Sequence, residues 1–187
     1  MKETIKITSV LTFVCILCSF LLAFVWAQLQ DRVIQNEKDY FQDSLSRLEP
    51  DSVKIEELNV SGELIYKLID NNSRLLGYAF TATGQGYQDK ITLLAVIDSK
   101  FQNLKGVEVL KSSETPGLGA KIQEENFLSQ FKGINVETAV ECLKTETKQP
   151  NQIKAITSAT VSSRAVVRIL NQKIEDLRAK LNNQTYE

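Results

Sequence analysis

The chain has 187 residues, a net charge of −1 and an isoelectric point near 5.7, and it contains no histidine. This charge provides neither the basic surface that nucleic acids require nor an acidic interaction tail, so no nucleic-acid partner is expected. The lack of histidine excludes serine–histidine triads and cysteine–histidine pairs, and it disfavours a protein-built zinc or iron site. Any chemistry must therefore come from carboxylates, hydroxyls, backbone groups or a bound cofactor.

Residues 1–30 are predicted to form a transmembrane anchor. Between residues 7 and 30 no side chain is charged, and at about 1.5 Å per residue this stretch makes about 36 Å of helix, enough to cross a membrane. Trp26 lies where an interfacial aromatic residue anchors the far end. Because Lys2 and Lys6 precede the stretch, the positive-inside rule predicts a cytoplasmic N-terminus and an extracytoplasmic remainder, in the inner (cytoplasmic) membrane.

A cleaved signal peptide is the alternative to an anchor. Its apolar region is about 7–15 residues long and is followed by small residues at the cleavage site. The stretch here is longer, and Val25, Trp26 and Ala27 make a poor cleavage site. Cys18 follows Leu17 rather than a small residue, which disfavours lipoprotein processing. We therefore expect an anchor that is not cleaved.

Residues 31–50 are predicted to form a helical linker, because apolar residues recur at helical spacing up to Leu48 and Pro50 then ends the helix. The domain at 51–187 begins with short segments that are rich in β-branched and aromatic residues and are separated by turn signals. These predicted strands are 64–69, 75–83, 90–97 and 104–110. Their short connections predict an antiparallel meander.

Helices and loops are predicted beyond residue 110. Residues 112–120 form a loop that contains glycine and proline, and residues 124–131 are typical of a short helix. A long C-terminal helix is predicted at 162–181, because its apolar residues form one stripe. Strands followed by helices on one face predict an α+β domain, with the long helix packed on an antiparallel sheet.

The loop from Glu114 to Gly119 is the first candidate ligand site. Pro116 fixes its φ angle, and Gly117 and Gly119 allow backbone conformations that other residues avoid. Such a loop can bring bare N–H groups close to a planar or anionic ligand. On composition alone, a tight connection from sheet to helix is the simpler interpretation.

The segment from Thr157 to Ser163 is the second candidate, with five hydroxyls in seven residues directly before the predicted last helix. Capping that helix needs one hydroxyl, and Ser163 is the candidate cap. A helix N-terminus also offers unpaired N–H donors and the positive end of the dipole, which bind phosphate. The segment therefore predicts phosphate binding, without naming the ligand.

The two segments together carry a family resemblance. Glu-Thr-Pro-Gly-Leu-Gly-Ala-Lys-Ile from Glu114 and Thr-Ser-Ala-Thr from Thr157, behind one N-terminal span, resemble the FMN-binding domain family over essentially the whole chain. The resemblance is to the G subunits of Rnf electron-transport complexes, with the C subunits of Na⁺-translocating NADH:quinone reductases as siblings. Further matching residues are Gly77, Tyr78, Gly86, Tyr87, Phe127, Gln130 and Phe131.

The resemblance implies covalent FMN. In that family the FMN phosphate forms a phosphoester with the last threonine of a Ser/Thr-Gly-Ala-Thr motif. By position this residue is Thr160, and Thr157, Ser158 and Ala159 complete the motif. Ser158 stands where glycine is usual, and Lys154 where aspartate is common. By the same resemblance the residues near the flavin ring are Glu114, Thr115, Gly117, Leu118 and Gly119.

The resemblance also implies a function. The chain would relay electrons through FMN as one subunit of a membrane complex that couples ferredoxin and NAD⁺ redox chemistry to ion movement, after a flavin transferase has attached the cofactor. Isoalloxazine carries the electrons itself, which agrees with a chain that lacks histidine. Two alternatives stay open. One is a free-standing flavinylated carrier for another extracytoplasmic reductase, and the other is a non-redox, membrane-anchored assembly module in which Thr160 only caps a helix.

Overall fold

The computed structural model describes residues 2–60 and 62–184. The chain divides into two compact units, one that ends at Tyr40 and one that begins at Phe41. Helix α1 (Lys2–Leu48) includes the described part of the first unit and ends in the second.

The first unit is helical throughout its described residues. An 18-residue window of α1 has a mean hydropathy of 2.6 and is 0% buried, so α1 is long and apolar enough to cross a membrane. The hydroxyls of Thr8, Thr12 and Ser19 each donate to the carbonyl oxygen four residues earlier, at 2.8–2.9 Å. These bonds satisfy the hydroxyl donors within the helix itself, which an apolar environment requires.

Five antiparallel strands form the sheet of the second unit, in the same order as in the sequence. They are β1 (Lys54–Val60), β2 (Glu63–Ile69), β3 (Leu75–Gln85), β4 (Lys90–Asp98) and β5 (Leu104–Ser112). The predicted meander is confirmed, with one strand more than the sequence indicated. β1 escaped prediction because it lies at the edge of the sheet, where most of its side chains are exposed and the apolar pattern is weak.

The elements after the sheet are short, except for the last one. α2 (Glu125–Leu128) is a single turn between two 3₁₀ turns, Gly119–Gln123 and Ser129–Phe131. The predicted short helix is thus divided into an α turn and a 3₁₀ turn. β6 (Glu141–Leu143) and β7 (Gln152–Lys154) pair in parallel as a small separate sheet, and α3 (Thr160–Gln184) begins two residues before its predicted start.

Apolar side chains are buried on both faces of the five-stranded sheet. On one face the stripe of α3, with Val166 and Leu170, joins strand residues such as Phe80 and Leu93 in the larger core. On the other face Leu45, near the end of α1, packs with Leu68, Ala79, Leu94 and Val96. The predicted α+β class is confirmed, and the packing of α3 brings its N-terminus to the loop that follows β5.

Candidate functional site

The two candidate segments lie against each other along an open cleft of about 300 Å³. Of the nine residues that the family resemblance assigned to the FMN site, all except Gly117 are part of the lining. The lining residues are Tyr87, Glu114, Thr115, Leu118, Gly119, Thr157, Ser158, Ala159, Thr160, Val161 and Ser162. Segments about forty residues apart in the chain therefore line the same cleft.

Gly117 shapes the loop through its backbone. Its φ of +75° lies in the left-handed region, where a side chain would be strained. The N–H groups of Leu118 and Ala120 both donate to the carbonyl oxygen of Thr115 at 3.1 Å, which closes the loop into a tight turn. This turn brings Leu118 and Gly119 to the cleft, and a contact between Gly117 and a ligand stays a prediction.

The first turn of α3 presents unpaired backbone donors. Ser163 N–H donates to the carbonyl oxygen of Ala159 at 2.9 Å, so Ala159 is the residue that caps the helix, and its methyl group offers no acceptor. Among the residues that the structure describes, none accepts a hydrogen bond from the N–H of Thr160, Val161 or Ser162. A helix start with three free donors and the positive end of its dipole is suited to an anion.

Ser163 is not the helix cap, because it lies inside the first turn of α3 and is fully buried. Its hydroxyl donates to the carbonyl oxygen of Ala159 at 2.9 Å and accepts from the N–H of Ile156 at 3.1 Å. Ser163 therefore fixes the turn that leads into the helix. The predicted cap lay four residues beyond Ala159, the residue that occupies the cap position.

Thr160 is the first residue of α3, and its side chain is partly exposed in the cleft. Its hydroxyl makes one long hydrogen bond, to the carbonyl oxygen of Ile156 at 3.4 Å. A bond of this length lies beyond the usual range, so little stability is lost when the oxygen takes another partner. Thr160 thus combines an available hydroxyl with the anion-binding end of a helix.

Glu114 is a buried carboxylate at the edge of the cleft, 6% exposed. Its Oε1 accepts from the N–H groups of Tyr87 and Gln88, at 2.7 and 3.1 Å, and its Oε2 accepts from the hydroxyl of Ser162 at 2.7 Å. The neighbouring Thr115 hydroxyl donates to the side-chain oxygen of Gln88 at 2.9 Å. These bonds join the β3–β4 turn, the glycine-containing loop and the start of α3.

Three exposed side chains give the cleft an apolar surface. Tyr87, Leu118 and Val161 are 68%, 49% and 57% exposed, although all three are large and mostly apolar. Such exposure is favourable when a flat apolar ligand covers these groups. The family resemblance did not assign Tyr87, Val161 or Ser162 to the FMN site. Val161 and Ser162 nevertheless lie in the hydroxyl-rich candidate segment, and the signal for Tyr87 was the Gly86-Tyr87 pair noted in the resemblance.

Lys154 does not line the cleft. Its side chain pairs with Glu146 and is 46% exposed. Its backbone is held by Gln130, whose Oε1 accepts from Lys154 N–H at 2.7 Å and whose Nε2 donates to Lys154 O at 3.2 Å. The side chain that stands in place of the common aspartate is therefore turned to Glu146 and is not part of the cleft lining.

Comparison with known proteins agrees with this geometry. The sequence model of the FMN-binding domain family matches residues 86–175, a range that contains every residue of the cleft lining. The G subunit of the ion-translocating oxidoreductase complex of Methanosarcina acetivorans is 30% identical, over 96% of this chain and 97% of that protein. The chain belongs to the family of G subunits of ion-translocating oxidoreductase complexes.

Other G subunits are similar over most of the chain. The G subunit of the proton-translocating ferredoxin:NAD(+) oxidoreductase complex of Clostridium ljungdahlii is 27% identical, over 91% of this chain and 90% of that protein. The crystal structure of NqrC from Shewanella oneidensis matches with a TM-score of 0.56 at 20% identity, over 66% of this chain and 65% of that chain. This last likeness concerns the fold alone.

Proposed function

We propose that this member of the G-subunit family is a covalently flavinylated electron-transfer subunit of an Rnf-type complex that couples ferredoxin and NAD⁺ redox chemistry to ion translocation. The Clostridium ljungdahlii relative, whose name states a proton-translocating ferredoxin:NAD(+) oxidoreductase, aligns with 91% of the chain. The Methanosarcina acetivorans relative, whose name states an ion-translocating oxidoreductase, aligns with 96%. In the proposal, FMN is joined by a phosphoester to the hydroxyl of Thr160. The chain relays electrons, and the assembled complex is the enzyme.

The observation that carries the proposal is the position of Thr160. Its weakly bonded hydroxyl lies at the first residue of α3, next to free N–H groups that include those of Val161 and Ser162. An ester phosphate on this oxygen keeps negative charge, which the free donors and the helix dipole stabilise. Thr157 and Ser158 add hydroxyls to the same wall of the cleft.

The exposed part of the cleft suits the ring of the flavin. Leu118 and Tyr87 supply its apolar surface. When bound, isoalloxazine supplies the one- and two-electron chemistry. The residues of this chain bind and orient the ring, and their apolar side chains exclude water from part of it.

Membrane attachment follows in the proposal from α1. The helix carries apolar exposed side chains along a stretch long enough to span the bilayer. Lys2 and Lys6 on its N-terminal side favour a cytoplasmic N-terminus and an extracytoplasmic flavin domain. Covalent attachment then retains the cofactor in a compartment without a flavin pool, and the anchor keeps it close to the other subunits.

The direct test is the mass of the full chain produced together with a competent flavin transferase. We expect an increase equal to one FMN less one water, lost completely in Thr160→Val, which keeps the branched shape and removes the hydroxyl. Thr83→Val is the matched control, because the Thr83 hydroxyl bonds to the Thr92 hydroxyl on the sheet, outside the cleft lining, and its loss should leave attachment intact. An unmodified wild-type chain, or a Thr160→Val chain that still carries FMN, would refute the proposal.

Complex membership has its own test. Affinity purification of the tagged chain from its native membrane should recover other integral subunits with iron–sulfur content. Recovery of the flavinylated chain alone would instead support the free-standing carrier. A chain that never acquires flavin would support the assembly module.

A further inference from the structure

The carboxylate of Glu114 accepts its hydrogen bonds from the protein itself. Both of its oxygens accept hydrogen bonds from protein donors, two on Oε1 and one on Oε2. In the described residues no lysine or arginine forms an ion pair with it. Both oxygens of its side chain are thus held by the protein, at the point where three segments meet.

Two glycines leave space for this carboxylate. A Cβ on Gly119 would lie 2.4 Å from Glu114 Oε2 and 2.8 Å from the Ser162 hydroxyl. A Cβ on Gly86 would lie 2.4 Å from Glu114 Oε1, and also 2.6 Å from the carbonyl oxygen of Asp89. Neither glycine has a positive φ. Their lack of a side chain is therefore needed for space around Glu114 rather than for backbone conformation.

We propose that Glu114 is the positioning residue of the cleft. Its carboxylate holds the β3–β4 turn and the first turn of α3 at a set distance. Residue 119 is a glycine because a side chain there would collide with this carboxylate. The bond from Tyr87 N–H to Glu114 positions the backbone that carries the Tyr87 ring. The bond from the Ser162 hydroxyl positions the helix end that carries Thr160. The effect of Glu114 on FMN binding rests on the proposed function above, whereas the packing of Glu114 against Gly119 does not.

The chemistry of the three donors defines which replacements can work. Glutamine at 114 keeps the length, its oxygen can accept from both backbone N–H groups, and its NH₂ can donate to the Ser162 hydroxyl, which then acts as acceptor. Aspartate keeps the charge but is one methylene shorter, so it cannot reach both sides. Alanine removes the link and opens the space beside Gly119.

The packing relation is tested by a double-mutant cycle on the full chain in detergent, without flavin. Gly119→Ala should destabilise the wild type and the Glu114→Gln variant equally, because both keep a bulky side chain at 114. In the Glu114→Ala background the same change should lose part of its effect, because the nearest contact is removed while the Ser162 hydroxyl still lies 2.8 Å from the added Cβ. Additive effects of Gly119→Ala and Glu114→Ala would overturn the proposal.

The consequence for the cofactor is tested by FMN occupancy, measured by mass after production with the transferase, and by the fluorescence of the bound flavin. Glu114→Gln should load like the wild type, and Glu114→Asp should lose loading or show altered fluorescence. Leu45→Ala, on the opposite face of the sheet, is the control that destabilises without touching the cleft.

Each outcome of the loading experiment has one meaning. Equal loading and fluorescence in the Asp and Gln variants would overturn the positioning role, and so would a loss in Leu45→Ala as large as that in Glu114→Asp. If the wild-type chain takes up no FMN, the proposed function fails. The double-mutant cycle then still decides whether Glu114 and Gly119 are coupled. If Glu114→Ala does not fold, the comparison of Asp with Gln decides the proposal.

Discussion

An ion-pair cluster between β2 and α3 makes the stability of the domain depend on pH. Glu63 on β2 pairs with Lys173 and Lys180 on α3, the latter at 2.8 Å, and Lys180 also pairs with Asp176. The hydrogen bonds from Lys173 first, and then from Lys180, lower the pKa of Glu63 from 4.5 to about 2. Because the folded pKa is depressed, the cluster stabilises the fold above pH 4.5, and this stabilisation is lost as the pH falls towards 2.

The magnitude follows from the shift and from the exposure of the groups. Lowering the pKa of Glu63 from 4.5 to about 2 corresponds to about 3.4 kcal/mol. The Glu63 side chain is 26% exposed, so solvent screens the pairs and the net effect is smaller. We expect Glu63→Gln to lower the free energy of unfolding by about 1–2 kcal/mol at neutral pH.

The assay is denaturant unfolding of the full chain in detergent at several pH values between 7 and 2. The difference between wild type and Glu63→Gln should be largest near neutrality and should shrink from about pH 4.5 downward, as Glu63 takes up its proton. Glu56→Gln is the control, because Glu56 pairs with Lys54 on the exposed edge strand and should have little effect. A difference that stays constant with pH would refute the reasoning.

Two further predictions concern the sheet and the anchor. Gly77→Ala should destabilise the domain by about 3 kcal/mol, because its Cβ would lie 2.2 Å from the carbonyl oxygen of Ile97 on β4, and backbone in a central pair cannot yield. Gly133→Ala should lower the free energy of unfolding by only about 1 kcal/mol, because φ is +78° but a Cβ added there would meet no atom of the described residues within 4 Å beyond those of its chain neighbours. Equal decreases in the denaturation midpoint of the two variants would contradict this account. A phosphatase reporter fused after residue 187 should be active outside the cytoplasm, and a cytoplasmic signal would exclude the proposed orientation.

Local patterns were sufficient to predict the long helices. The apolar stretch of α1 and the stripe of α3 depend on periodicity within one segment, which neighbouring residues in the chain already define. The helix start at Thr160 was placed two residues too late. Its cap is Ala159, which has no capping side chain, so the usual signal for a helix start is absent.

The strands were predicted where burial enforces an apolar pattern and missed where it does not. β4 is buried along nearly its whole length and was recognised, whereas β1 is an exposed edge strand and was not. β6 and β7 are three residues each, too short for any periodicity, and they exist because they pair with each other. Their pairing is a tertiary property that no local pattern contains.

The sequence by itself determined that a hydroxyl-rich helix start and a glycine-containing loop are present, and the family resemblance named Thr160 within them. Only the tertiary structure decided that the two segments face each other, and that Glu114 takes its hydrogen bonds from residues 26, 27 and 48 positions away in the chain. It also decided that Gly119 is required for space rather than for flexibility, whereas Gly117 is required for its positive φ. The physical reason is that backbone conformation is a local property of a residue, whereas the space around it depends on which distant segments pack against it.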